Sequence, residues 1–453
     1  MADEYDHELL HSESDPTRYQ TDECLSTENV TVWQIIQLLF SRKKIEETGF
    51  SYVRDESLQE RQVLNWTAGV SLLLQNFLLS IVDRWKSLGD KIEMTLNIFS
   101  SRKVSEAPKP GDDTYKSIIG HLDERVHLDK NIKPDNPRYN SALAAMAAKL
   151  AYENKGFIRK TVEEIWKMEF IDMGNFWNDT QGFMFHDRNV NMIVVAFRGT
   201  EFFNTIDWKT DVDFSCLSNK EMGKIHSGFM KALGLVMEDG QQNRGSWPRD
   251  KPCNGKNYAY YSIREKLKEK LEEDEETKFI VTGHSLGGAL AILFPAILAL
   301  HEEKSLLKRM KGVYTFGQPR VGDNQFKNFM ERTFNEYGIK YLRFVYCNDI
   351  IPRVPPDFGP LDLKFKHFGT CLYFDSFYRG KVLDEVEHKN YFWLFGFTWI
   401  ARIPPLWFPF ILPGFADHNP RDYVNLTRLG TFKRFAEVDD PPQTDALSYK
   451  KDN

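Results

Sequence analysis

The chain has 453 residues, of which 42% are hydrophobic and 27% charged, so a folded core is expected rather than disorder. That length allows one large domain with appendages, or two to three domains. A net charge of −6 spread along the chain excludes a general nucleic-acid binder, which needs clustered Lys and Arg.

The first 29 residues are acidic and polar, neither a secretory signal nor an Arg-rich transit peptide, and read as disordered. Residues 30–102 read as a helical, hydrophobic N-terminal region. In it, Val32, Ile35, Ile36, Leu39 and Phe40 share one helical face, ahead of Arg42, Lys43 and Lys44. A packed helix and a membrane-surface helix fit that pattern equally. Residues 63–82 have the length of a bilayer span, yet Asn65, Thr67, Ser71, Gln75, Asn76 and Ser80 interrupt them. A helix lying in an interface or packed in a bundle is favoured over a clean span. Residues 103–136, rich in Lys, Asp, Pro and Gly, read as a linker.

From about Pro137 to residue 435 the texture is that of one folded domain. ALAAMAAKLAYEN, 161–170, 227–239 and 258–274 read as helices. Residues 182–187 and 190–200 read as strands of a hairpin turning at Arg188-Asn189. Strand 278–282, helix 286–301, strand 312–316, helix 324–334 and strand 341–346 follow. Such alternation predicts an α/β fold with a largely parallel central sheet. The tail 436–453 reads as disordered. Five cysteines, Cys24, Cys216, Cys253, Cys347 and Cys371, show no metal spacing and read as reduced thiols of an intracellular protein.

Within the domain, Gly283-His284-Ser285-Leu286-Gly287 fits the G-x-S-x-G pattern between an apolar strand and an Ala/Leu-rich helix. A serine at the tip of a sharp strand-to-helix turn needs neighbours without side chains. The turn exposes its hydroxyl, and the N–H of Leu286 becomes a donor for an oxyanion. Serine also needs a base, and the base an orienting acid. Asp349 lies just past the strand 341–347, at the sheet edge where the elbow sits. Three histidines follow it. His367 lies in a strand-like run and reads as structural, and His388 in a charged, solvated stretch. Spacing favours His418, in a loop before a helix.

GHSLGGAL, VVAFRGT, HSGF (226–229), YTFGQPRVGD (314–323) and NDIIPRVPP (348–356) together resemble the class 3 lipases, the fungal-lipase-like branch of the α/β-hydrolases. The match covers roughly residues 140–430, and these stretches occur in the family's order. PGFADHNPRDYVNLTRLG (413–430) and the hydrophobic additions resemble the plant oil-body triacylglycerol lipases. The resemblance implies an α/β-hydrolase fold with Ser285 as nucleophile, Asp349 as acid and His418 as base. It implies Thr200 as the hydroxyl residue of the oxyanion hole, with Leu286 as second donor. It places a lid at 201–214, with Phe202, Phe203, Ile206 and Trp208 as lid residues. It implies no metal and no cofactor.

Between Asp349 and His418, residues 391–416 are dense in aromatics and carry Pro404, Pro405, Pro409 and Pro413, which rule out one straight helix. A monotopic anchor seating the mouth on lipid is one reading, and a fold-back that lines the acyl pocket the other. The expected function is therefore triacylglycerol hydrolysis at a lipid droplet (oil body) membrane, on its cytosolic face, with the endoplasmic reticulum as a further location. A phospholipase or galactolipase A1 on membrane glycerolipids, and a non-catalytic lipase-like scaffold, are the alternatives. For the first 130 residues docking on lipid, association into a homo-oligomer and control of the lid stay open.

Overall fold

The computed structural model describes residues 89–100, 108–176, 180–199, 216–235, 257–355, 364–383 and 416–431. Its strands, in chain order, are β1 (Glu169–Asn175), β2 (Gln181–Asp187), β3 (Met192–Phe197), β4 (Cys216–Asn219), β5 (Gly223–His226), β6 (Lys278–His284), β7 (Met310–Phe316), β8 (Lys340–Tyr346), β9 (Thr370–Phe374) and β10 (Gly380–Leu383). Eight of them form one sheet in the order β1-β2-β3-β6-β7-β8-β9-β10, and β4 pairs with β5 apart from it. From β3 to β9 every neighbour is parallel, while β1, β2 and β10 join antiparallel at the edges.

Successive side chains of a strand point to opposite faces, and here both faces are covered. Ile193, Val195 and Phe197 of β3 and Phe279 and Val281 of β6 enter one core. Met192, Val194, Ala196 and Ile280 enter the other. The first core is closed by α2 (Ala259–Glu272), α3 (Leu286–Leu300) and α4 (Asn324–Tyr337). The second is closed by α1 (Tyr139–Leu150) and α5 (Pro420–Leu429). α3 is apolar all round because it is buried almost throughout. Each buried Leu, Ile or Phe contributes about 2 kcal/mol.

The parallel core matches the α/β expectation, and the 188–189 hairpin forms between β2 and β3. Two helices differ. Thr161–Ile165 is a single π-turn, after which Lys167 takes a positive φ of 58° and the chain leaves as β1 from Glu169. The second helix stops at Ala232 rather than running on. There the Leu233 carbonyl accepts from Tyr260 N–H, at 3.1 Å, tying the turn to α2.

The described part of the expected linker is packed against the domain. Tyr115 and Ile119 are buried. Ser117 gives its N–H and its hydroxyl to the buried Glu153 carboxylate, at 2.8 and 2.7 Å. Lys149 of α1 caps the Asp123 and Arg125 carbonyls and pairs with the Asp123 carboxylate at 3.2 Å. Arg125 reaches Asn425 of α5 at 2.7 Å, and Asp129 pairs with Arg428 at 2.9 Å. Residues 89–100 are helical and dock on the same stretch, with Asn97 bonded both ways to Lys116.

Cys347 and Cys371 form no disulfide, but Cys216 is disulfide-bonded. The reading of all five cysteines as thiols fails there, because sequence spacing does not show which sulfurs approach. Among the described residues no helix is long and apolar enough to cross a membrane. The segments 30–40, 63–82 and 391–415, together with His388, lie outside them.

Candidate active site

β6 ends at His284, and the chain turns through Ser285 straight into α3. Ser285 has φ 57° and ψ −129°, a strained combination for a residue with a side chain. Backbone hydrogen bonds hold it. Its N–H donates to the Phe316 carbonyl of β7 at 2.9 Å, and its carbonyl accepts from Gly288 N–H at 2.9 Å. The flanking positions have no room for a Cβ. One on Gly283 would meet the Gly287 carbonyl at 2.1 Å, and one on Gly287 the Phe197 carbonyl at 2.3 Å. The glycines around Ser285 are therefore set by close backbone packing of β3, β6 and α3.

Two other chain segments reach this rim. β8 leads through Cys347 and Asn348 to Asp349, which is fully buried. A short turn, Ala416–His418, precedes α5, where Asn419 caps the helix by accepting from Arg421 N–H and Pro420 opens it. The Asp417 carboxylate accepts from Asn348 N–H at 3.0 Å and fastens the two segments together.

These segments bring the three sequence-selected residues into line. His418 Nε2 lies 2.8 Å from Ser285 Oγ, and His418 Nδ1 2.7 Å from Asp349 Oδ2. Asp349 Oδ1 accepts from Ile351 N–H at 2.9 Å, and Tyr423 of α5 donates its hydroxyl to Oδ2. Burial first, and then the Asp349 charge, push the Tyr423 phenol well above its ordinary value, so it stays a donor. Gly317, with φ 61°, closes the floor, since a Cβ there would lie 2.8 Å from the His418 ring and 2.9 Å from Asp349 Oδ2. Leu286 is the first residue of α3, so its N–H is among the helix-start donors that lack an intrahelical acceptor.

His367, read as structural, is buried elsewhere with its Nε2 2.6 Å from the Pro352 carbonyl. The described chain stops at Gly199, so Thr200, Phe202, Phe203, Ile206 and Trp208 lie outside it. Tyr423, Asp417 and Gly317 escaped the sequence reading. Their place inside the quoted stretches, Asp417 and Tyr423 in DHNPRDY and Gly317 in YTFGQPRVGD, offered a signal.

His284 and His367 are both buried, and both imidazoles titrate well below their ordinary value. Burial is the main cause for each, followed by His418 for the first and by Arg343 and Arg320 for the second. An unfolded chain would protonate both near pH 6.5, roughly, while the fold keeps them neutral. The fold therefore has their full contribution above that pH and loses it as pH falls, by about 1.4 kcal/mol per pH unit for each. Urea midpoints should drop between about pH 6.5 and about pH 5, and His367→Phe should flatten the slope. An unchanged slope in that variant would contradict the assignment.

The family described as Lipase (class 3) matches residues 194–359, which hold Ser285 and Asp349. The triacylglycerol lipase OBL1 of Nicotiana tabacum is 34% identical, over 81% of this chain and 83% of its own. The chain belongs to the class 3 lipase family. As a class 3 lipase it is an ester hydrolase on an α/β-hydrolase fold. Phospholipase A1-Igamma2 of Arabidopsis thaliana is 38% identical, over 36% of this lipase and 30% of its own length. The solved Rhizomucor miehei triacylglyceride lipase superposes with a TM-score of 0.37 at 25% identity, over 52% of this lipase and 78% of that chain.

Proposed function

We propose that this lipase is a triacylglycerol lipase cleaving the carboxylic esters of neutral acylglycerols at a lipid droplet surface. Ser285 is the nucleophile, His418 the base and then the acid, and Asp349 orients and neutralises the imidazolium. The observation that carries the reading is the 2.8 Å contact of His418 Nε2 with Ser285 Oγ on a strained strand-to-helix turn. As Oγ attacks the ester carbonyl, its proton passes to Nε2. The tetrahedral oxyanion is met by the Leu286 N–H and, by the family resemblance, by Thr200. His418 returns the proton to the glycerol oxygen as it leaves, and water, activated by the same imidazole, releases the fatty acid from the acyl-serine.

The neutral-lipid assignment leans on the OBL1 relative, which covers most of the chain. The droplet location leans on the oil-body resemblance and on the aromatic run 391–416, a monotopic anchor on the cytosolic face. A phospholipase A1 reading has the shorter Arabidopsis match in its favour. Initial rates on emulsified triolein and on phosphatidylcholine vesicles, at equal interfacial area, separate the two. Triolein should be the faster substrate, and a preference for phosphatidylcholine overturns the neutral-lipid assignment. Deleting 391–410 should abolish droplet flotation while sparing hydrolysis of a soluble ester. Flotation that survives the deletion removes the anchor.

A further inference from the structure

His284, the residue before Ser285, is not required as nucleophile, base or acid, yet it is buried against the site. Its ring centroid stands 4.4 Å from that of His418, with the planes tilted by 34°. Tyr423 meets it edge-on at 5.3 Å. At its ring edge the buried Tyr152 hydroxyl lies 2.8 Å from His284 Nδ1. Tyr152 follows directly after the C-cap residue of α1, so it comes from a part of the chain ahead of the matched family segment. The same hydroxyl lies against Gly199, where a Cβ would meet it at 2.1 Å. That is the last described residue before Thr200.

We infer that Tyr152 and His284 are a positioning pair for the general base: Tyr152 fixes the plane of His284, and the face of His284 holds the His418 imidazole in line with Ser285 and Asp349. The inference rests on the role given above to His418. During attack His418 becomes a cation, so whatever packs on its ring should carry no positive charge. His284 meets that condition, since burial keeps it neutral and the neighbouring His418 pushes in the same direction. The ionisable groups facing it are His418 and Tyr423 from the C-terminal turn and helix, and Tyr152 from the end of α1, with Asp349 behind His418. A hydroxyl bond to Nδ1 also selects the ring's rotation, because a free imidazole could turn about its last torsion.

The test uses the full chain with p-nitrophenyl butyrate, so that lipid docking does not enter. Tyr152→Phe should lower kcat about tenfold with KM nearly unchanged, since it disturbs alignment and not substrate binding. His284→Ala removes the plate and lets water reach the His418 ring. Its kcat should fall at least as far as that of Tyr152→Phe, again with KM nearly unchanged. His284→Phe keeps a plate but removes the imidazole nitrogen that the Tyr152 hydroxyl meets. Combining it with Tyr152→Phe should recover activity above His284→Phe alone. Tyr152→Phe within twofold of wild type, or additive losses in the double variant, overturns the pair. A lower melting temperature with kcat unmoved in the folded variants makes both residues merely structural. Wild type that fails to hydrolyse the ester sinks the role of His418 itself, a separate result.

Discussion

Ser285→Ala should lower kcat on a soluble ester by roughly 10⁶-fold, the size expected when a nucleophile is removed from a working triad. The fold should survive the change. The Ser285 backbone supplies the contacts that hold the turn, an N–H to Phe316 and a carbonyl to Gly288, and alanine keeps both. Its side chain gives only the hydroxyl, whose bond is to His418 Nε2. A variant with wild-type melting behaviour and wild-type turnover would leave Ser285 without a role. Turnover is read with p-nitrophenyl butyrate, because binding to an emulsion adds a step that the triad does not control.

Asp349→Asn should lower kcat by about 10⁴-fold with little effect on folding. The shape is retained, and the remaining carbonyl oxygen can still accept from Ile351 N–H, as Oδ1 does. What changes is the atom facing His418 Nδ1, now 2.7 Å from a carboxylate oxygen. An amide nitrogen there donates, so Nδ1 must accept and the ring proton moves to Nε2. His418 then presents a donor to Ser285 Oγ and cannot take its proton. The bond to Tyr423 can reverse, the phenol oxygen accepting from the new amide, so the fold is little disturbed. A kcat within tenfold of wild type would show that the carboxylate does not orient the base.

How much of this was legible in the sequence depends on whether a feature is local. β6, Ser285 and α3 could be read as strand, turn and helix because the apolar runs and flanking glycines are contiguous. Asp349 followed from its place after β8, since parallel strands carry their functional residues at the carboxyl ends. His418 stands out among three histidines, and His367 is structural as read, though it lies ahead of β9 and not within a strand, its ring held by the Pro352 carbonyl. The misses are non-local. Tyr423 and Tyr152 matter through what they touch far along the chain, and no spacing rule names a partner hydroxyl. The disulfide at Cys216 is of the same kind. The stretch 108–136 has a polar, Pro-rich composition typical of a connection, yet its polar groups are answered one by one by Lys149, Glu153, Asn425 and Arg428. Composition reports what a segment would do alone, not what a complementary surface does to it. The π-turn at 161–165 looked helical because it nearly is, and its end is set by β1 pairing with β2.

In the proposed function the surroundings of Ser285 turn an ordinary hydroxyl into a nucleophile. Incubating the full chain with a fluorophosphonate probe and mapping the adduct by mass spectrometry tests it most directly. One adduct per chain is expected, on Ser285, formed far more slowly when His418 is replaced by alanine. A folded wild-type chain that stays unlabelled, or that carries the label on another residue, would contradict it.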